Sequence, residues 1–242
     1  MTAKQIKRTL LALLFAPITV FASGAGVHLD AAPDVQDDKA ALQNGAKTFV
    51  QYCLNCHGAS HVRYKKLTEL GFTEQEIKEN LMFTADKIGD PMRIAARASE
   101  QKQWLGAAPP DLSLVARARA SEAGSGADWL YTYLRSFYRD ENRPTGWNNK
   151  VFENVGMPHV LWELQGEQSL DHATHQLKIM QPGSLSAAEY DQQIANLVGF
   201  LVWIGEPDAA FRKQLGFGVL LFLFVLCGLA YALKKEYWKD IK

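Results

Sequence analysis

The chain has 242 residues, of which 48% are apolar and 21% charged, and its 26 Lys and Arg residues balance its 26 Asp and Glu residues. This length suits one domain with a sizeable core and one appendage. Both ends of the chain carry more basic than acidic residues, so segment 23–213 is mildly acidic. That balance argues against nucleic acid as a partner and suits a basic protein partner.

The N-terminus has the three parts of a secretory signal peptide. Lys4, Lys7 and Arg8 precede an apolar run over residues 9–21, and small residues follow it. The run is about 13 residues long, which is short of the ~20 that a membrane span needs. We predict a cleaved signal peptide over residues 1–22, with a retained N-terminal anchor as the alternative.

A second apolar segment lies near the C-terminus, over residues 215–233, and contains no charged residue. At about 1.5 Å of rise per residue it is long enough to cross a hydrocarbon core, and it lacks the polar face of a soluble helix. We predict a transmembrane helix over 214–233 and a cytoplasmic tail over 234–242, because four lysines follow the span. Residues 23–213 would then form an extracytoplasmic domain.

Residues 53–57 have the sequence Cys-Leu-Asn-Cys-His, which is the pattern of covalent c-type haem attachment. The spacing lets Cys53 and Cys56 reach the two vinyl groups on one porphyrin edge, and His57 then projects toward the iron. A zinc site would need a second Cys pair. A thioredoxin-like dithiol would need a βαβ context, and it would not require the histidine that follows the second cysteine. We therefore predict one haem c bound through Cys53 and Cys56, with His57 as an iron ligand.

A second axial ligand must come from elsewhere in the chain, and Met157 has the most suitable surroundings. Gly156 lets the backbone approach closely, and Pro158 keeps Met157 extended and out of a helix. Met180 has a similar but weaker setting, and His159 is a rival close by. The residues alone favour Met157 and leave Met180 and His159 open. A Met/His pair would raise the haem potential relative to two histidines.

Two helices are predicted to frame the haem segment. The aspartates at 37–38 can cap a helix over residues 40–52 that leads into the motif. A capping box that begins at Ser186 precedes an amphipathic helix, which Gly205 brings to an end. Strand signals are few, so the domain is predicted to be mostly α.

These features together resemble the cytochrome c1 family. They occur in the family's order: the haem motif at 53–57, the stretch Pro-Pro-Asp-Leu-Ser-Leu-Val-Ala-Arg-Ala-Arg at 109–119, Gly-Met-Pro at 156–158, and Glu-Pro before one C-terminal span. The stretch at 109–119 is the most specific part, because many cytochromes share the haem motif. The resemblance implies a mostly α, cytochrome c-like haem domain with one C-terminal transmembrane helix.

The resemblance also implies roles for particular residues. Met157 becomes the sixth iron ligand, and Arg119 becomes the donor to a haem propionate. Trp129 falls near the place of a propionate-contacting tyrosine, and Pro109 and Pro110 would line the haem face. One departure is a proline directly after the methionine, where mitochondrial relatives have Met-Ala-Pro.

For function, the resemblance implies the haem subunit of a quinol–cytochrome c reductase, with its haem domain on the periplasmic side of a bacterial inner membrane. Such a subunit accepts an electron from the Rieske iron–sulfur protein and passes it to a soluble or membrane-bound cytochrome c. Cytochrome b and membrane lipid would be its partners in a dimeric complex. The transfer needs no catalytic acid, base or nucleophile, so the enzyme activity would belong to the complex.

Two other functions stay open at this point. One is a membrane-anchored monohaem cytochrome c that feeds a terminal oxidase, which shares every feature except the stretch at 109–119. The other is a haem enzyme or sensor with an open sixth site.

Overall fold

A computed structural model describes residues 28–240 of the chain. The predicted signal peptide lies outside the described residues, as do the last two residues of the predicted tail. In chain order the α-helices of the described part are α1 (Lys39–Thr48), α2 (Glu74–Asn80), α3 (Ala98–Leu105), α4 (Val115–Ala118), α5 (Gly126–Arg135), α6 (Trp162–Gln165), α7 (Ala187–Gly205) and α8 (Ala209–Tyr237). The prediction of a mostly α fold is confirmed.

The strands of the described part pair into short antiparallel ladders of two strands each. They are β1 (Ala59–Arg63) with β2 (Pro91–Met92), β3 (Phe137–Arg139) with β4 (Trp147–Asn149), and β5 (Gly166–Asp171) with β6 (Gln176–Pro182). The third pair is a hairpin whose register shifts between Glu167 and Gln168. These ladders cross-link the loops that connect the helices.

The helix that leads into the haem motif begins as predicted but ends differently. The Asp38 carboxylate accepts from the backbone N–H groups of Ala40 and Ala41, at 2.9 and 3.0 Å. Beyond Thr48, however, the chain continues as a π-helical turn over Phe49–Cys53, so the prediction of one regular helix over 40–52 is wrong in its last four residues. The backbone N–H of residue 54 donates to the oxygen five residues earlier, at 2.9 Å, and this widens the turn just before the motif.

Helices α1 and α7 cross at close range, and the crossing positions the haem segment. α7 begins with the predicted capping box at Ser186. A Cβ at position 45 would lie 2.1 Å from the Asn196 carbonyl oxygen, so only glycine allows the two backbones to approach this closely. The rings of Phe49 and Phe200 pack beside the crossing, with centroids 5.6 Å apart. The main hydrophobic core lies between α1, α5 and α7.

Helix α8 is the predicted apolar C-terminal helix. The most apolar 18-residue window of its segment Phe211–Tyr237 has a mean hydropathy of 2.4, and none of that window is buried against the rest of the chain. The helix includes the whole of the predicted span 214–233 and continues on both sides of it. A fully exposed apolar helix of this length is suited to a lipid environment.

Candidate haem site

The motif at 53–57 is wound tightly around the carbonyl group of its first residue. The backbone N–H groups of Cys56 and His57 both donate to the Cys53 oxygen, at 3.0 and 2.8 Å. Gln101, a buried residue of α3, donates from Nε2 to the Cys56 oxygen at 2.8 Å. The motif is therefore held from within by its own turn and from outside by a side chain of another helix.

Both cysteines of the motif are free and half-buried, so the pair is not a disulfide. Burial raises the pKa of the Cys53 thiol to about 12, and the nearby Cys56 acts in the same direction. Within residues 28–240, no group of three His, Cys, Asp or Glu side chains is placed to hold a metal ion. The zinc hypothesis finds no ligand set in that part of the chain, whereas two free thiols are what thioether formation requires.

The His57 ring is oriented by a main-chain carbonyl group. Its Nδ1 lies 2.7 Å from the carbonyl oxygen of Pro110. Because a carbonyl oxygen only accepts, Nδ1 carries the hydrogen, and Nε2 of the neutral ring keeps a free lone pair. Burial lowers the pKa of His57, although the Pro110 carbonyl and the Asp111 carboxylate act in the opposite direction. The ring therefore presents a neutral Nε2, which is the form that binds a metal.

The stretch that supplies this carbonyl is tied to the residues just after the motif. The Asp111 carboxylate accepts from the backbone N–H groups of Ser60 and Ser113, at 2.8 and 2.9 Å. Burial alone would raise the pKa of Asp111, but these hydrogen bonds outweigh it and lower that pKa. The backbone N–H of residue 112 also donates to the oxygen of Gly58, at 2.7 Å. These contacts hold the Pro110 carbonyl against His57.

A second group of side chains gathers around Met157. The Arg119 guanidinium carbon lies 4.5 Å from the centroid of the Trp129 ring. Trp129 stacks in turn on Tyr133, with centroids 4.7 Å apart and planes 13° apart. The Tyr133 hydroxyl donates to the Met157 sulfur at 3.4 Å. Burial raises the pKa of the Tyr133 phenol, although the charge of Arg119 acts in the opposite direction.

The structure thus brings the predicted site residues into two groups. One group is the motif with Cys53, Cys56 and His57, in which the His57 ring contacts Pro110. The other group contains Arg119, Trp129 and Met157, which are joined through a residue that sequence reasoning missed. That residue, Tyr133, lies four positions after Trp129 on α5, on the same helix face, and this spacing is the signal that could have found it. Pro109 is half-buried beside Pro110.

The rival ligands have less suitable surroundings than Met157. Met180 lies on β6 with 71% of its surface exposed. His159 is 2% exposed, and its ring stacks on Phe137 with centroids 4.9 Å apart and meets the edge of Trp147. Met157 is half-buried, packs against the main core and has its sulfur engaged by a hydrogen-bond donor.

Comparison with known proteins identifies the family. Residues 33–93 and 82–241 match the Cytochrome C1 family. The chain belongs to the cytochrome c1 family. The family carries one covalently bound haem c, so the expectation of a single attached haem is confirmed. Family membership also confirms a role in electron transport for this membrane-anchored chain.

Individual relatives cover nearly the whole chain. It is 44% identical to cytochrome c1 of Allochromatium vinosum, over 95% of this chain and 96% of that protein. It is 33% identical to cytochrome c1 of Rhodospirillum rubrum, over 85% of this chain and 83% of that protein. It is also 50% identical to the ammonia monooxygenase gamma subunit of Nitrosomonas europaea, over 98% of this chain and 99% of that protein.

Among solved structures, the chain is similar to one from a hyperthermophilic respiratory complex III. The similarity extends over 100% of both chains, with a TM-score of 0.49 and 16% sequence identity.

The described residues fit a covalently bound haem of the cytochrome c1 family. They offer two free thiols, an imidazole with a free Nε2, and a thioether at the edge of the core. Nitrogen and sulfur donors of this kind are the axial ligands that haem iron accepts. The exposed guanidinium of Arg119 provides a cation of the shape that carboxylates prefer.

Proposed function

We propose that this chain is the haem subunit of a quinol–cytochrome c reductase, which accepts an electron from the Rieske iron–sulfur protein and passes it to a c-type cytochrome. The observation that carries the proposal is the pair of prepared donors. His57 has its Nδ1 engaged by Pro110, and Met157 has its sulfur engaged by Tyr133. Two such donors would hold the iron of a bound haem, which would suit electron transfer and leave no open position for oxygen or peroxide.

In this proposal each site residue has a defined task. Cys53 and Cys56 hold the haem through thioether bonds, and Arg119 binds a propionate while Trp129 supports its guanidinium. The prolines at 109–110 line the haem face on the His57 side. The bound haem supplies one-electron chemistry, and these side chains attach it, orient it and exclude water.

We further propose that the haem domain, residues 23–213, lies on the periplasmic side of a bacterial inner membrane. Helix α8 would cross the membrane beside cytochrome b, and the lysine-rich end at 234–242 would lie in the cytoplasm. The predicted signal peptide over 1–22 supports the same orientation. The complex would be a dimer, as the family resemblance implies.

The cofactors that accompany the chain during purification test the assembly. The chain should be isolated from its native membrane in mild detergent, and the preparation analysed for haem types and for an iron–sulfur signal. We expect b-type haem and a Rieske centre together with the haem c of this chain. Their absence would refute the reductase and favour a membrane-anchored cytochrome that feeds a terminal oxidase.

Carbon monoxide tests the closed iron. The native protein, reduced and exposed to carbon monoxide, should bind it slowly or not at all, because both axial positions are filled. Rapid binding would overturn the assignment of Met157 as a ligand and support an enzyme or sensor with an open site.

The similarity to the Nitrosomonas europaea protein favours a second candidate function. That relative is named a subunit of ammonia monooxygenase, so this chain could serve an oxygenase as its electron-transfer subunit. The same preparation separates the two functions. Co-purification with ammonia-oxidising activity, without b-type haem, would support the oxygenase assembly.

A further inference from the structure

We propose that Tyr133 is a positioning residue for Met157, and that its hydroxyl raises the reduction potential of the haem. This inference rests on the proposed function, in which Met157 is an axial ligand. The contact behind it joins the Tyr133 Oη and the Met157 Sδ, which are 3.4 Å apart. A thioether has no hydrogen to give, so the phenol is the donor and the sulfur accepts.

Tyr133 is held firmly enough to aim its hydroxyl. It is 8% exposed, its ring stacks on Trp129, and it meets the ring of Phe137 nearly edge-on, with centroids 5.1 Å apart. Its carbonyl oxygen accepts from the buried Asn149 side chain at 2.8 Å. The phenol is therefore fixed by packing on both sides and by its own backbone.

Polar contacts hold the beginning of the loop that carries Met157. The Arg143 guanidinium donates to the side-chain and backbone oxygens of Asn154, at 3.0 and 2.8 Å. Beyond that anchor, a Cβ at position 156 would meet no atom within 4 Å, so open space adjoins the backbone at Gly156. The Tyr133 hydroxyl is the polar group that restrains the thioether itself.

The hydrogen bond changes the electron density on the Met157 sulfur, and this change determines whether the reduction potential rises or falls. A hydrogen bond to the sulfur withdraws electron density from it and makes it a weaker donor to iron. Ferric iron depends on donor ligands more than ferrous iron does, so a weaker donor favours the ferrous state. Second-shell hydrogen bonding is an established means by which proteins tune haem iron. The Tyr133 hydroxyl should therefore make the haem easier to reduce.

A Tyr133→Phe variant isolates the hydroxyl, because it keeps the ring and its stacking on Trp129. The measurements are the midpoint potential of the haem c in the purified complex and the sulfur-to-ferric-iron absorption band at long wavelength. We expect the equilibrium constant for reduction to fall about three- to tenfold. For one electron this lowers the midpoint potential by roughly 28 to 59 mV. The absorption band should shift in the same variant.

The matched control is Tyr131→Phe, which removes a hydroxyl from another buried tyrosine of α5. It should change the equilibrium constant by less than twofold and leave the absorption band in place. An unchanged or raised potential in Tyr133→Phe, or an equal fall in the control, would overturn the inference.

A Met157→Leu variant distinguishes failure of the inference from failure of the proposed function. If it loses the absorption band while Tyr133→Phe behaves like the native protein, only the role of Tyr133 is refuted. If it keeps both the band and the native potential, Met157 is not a ligand, and the ligand assignment within the proposed function fails together with the inference.

Discussion

The two sides of the proposed haem site are built in different ways. On one side, five consecutive residues supply both thiols and the imidazole, and a main-chain carbonyl of Pro110 orients His57. On the other side, the Met157 thioether meets a side-chain hydroxyl that lies 24 residues earlier in the chain. No substitution removes a main-chain carbonyl, whereas a single substitution removes a hydroxyl. We therefore call the His57 side the constant side, because no substitution at position 110 deletes the acceptor of its hydrogen bond, and the Met157 side the adjustable side.

The largest effect is expected from removing the attachment on the constant side. A double variant, Cys53→Ala with Cys56→Ala, has no thiol in the motif and should carry no covalent haem. Haem staining of the chain in a denaturing gel measures this directly. Cys227→Ser is the control, because Cys227 lies in α8, outside the motif. This variant should keep full staining. Staining retained in the double variant would contradict the attachment at Cys53 and Cys56.

Met157→Leu should have the next largest effect, and it acts on the adjustable side. It removes the thioether, so the reduced haem should bind carbon monoxide quickly. The equilibrium constant for reduction of its haem should fall more than tenfold, which lowers the midpoint potential by more than about 59 mV. Met180→Leu, on the exposed strand β6, should leave both properties unchanged. The reverse result for the two variants would transfer the ligand role to Met180.

Asp111→Ala loosens the constant side without touching His57. It removes the acceptor for the backbone groups of Ser60 and Ser113 and should lower the free energy of unfolding by about 1 kcal/mol. The haem potential should rise, because the hydrogen bond to His57 Nδ1 weakens and a nearby negative charge disappears. Denaturant unfolding and redox titration measure the two effects.

A control for Asp111→Ala is Asp171→Ala, in the β5–β6 turn. The Asp171 carboxylate also accepts from two backbone N–H groups, at 3.0 and 3.3 Å. The Asp171→Ala variant should lower the free energy of unfolding by a similar amount and leave the haem potential unchanged. Equal changes in potential for both variants would show that Asp111 has no particular influence on His57.

The smallest effect is expected at the beginning of α5, the helix that carries Tyr133. The Asp128 carboxylate accepts from the N–H groups of Ser125 and Ala32, and these hydrogen bonds lower its pKa although burial opposes them. Asp128→Ala should lower the free energy of unfolding by about 1 kcal/mol at neutral pH. A carboxyl group whose pKa is lowered by folding stabilises the folded protein at pH values above its usual pKa of 3.8. The difference from the native protein should therefore shrink as the pH falls below that value, and persistence of the difference in acid would contradict the assignment.

The features predictable from the sequence are those that depend on neighbouring residues. The motif at 53–57, the capping aspartate at 38, the capping box at Ser186 and the apolar helix before the lysines all have local signals, and the structure contains each of these local features. Their physical causes act over a few residues, through hydrogen bonds to the next turn or through hydropathy.

The features that the sequence did not predict depend on contacts across the fold. The spacing of Trp129 and Tyr133 places both on one face of α5, but it does not indicate that the Tyr133 hydroxyl reaches Met157, because that contact arises only when α5 packs beside the ligand loop. The π-helical turn at Phe49–Cys53 was missed for a similar reason, since helical periodicity does not distinguish a widened turn from an ordinary one. The resemblance implies Pro110 at the haem face, but not the hydrogen bond between its carbonyl group and His57, which depends on the contacts of Asp111.

The connection between α7 and α8 limits how far the haem domain can travel. α7 ends at Gly205 and α8 begins at Ala209, so residues 206–208 are all that joins the domain to its membrane anchor. At about 3.5 Å per residue, the four Cα-to-Cα steps from Gly205 to Ala209 could span at most roughly 14 Å. The tight crossing of α1 over α7 extends this restraint to the haem motif itself. In the proposed function, a connection this short would keep the haem near the membrane surface, so a partner that exchanges electrons with it would have to come to that surface.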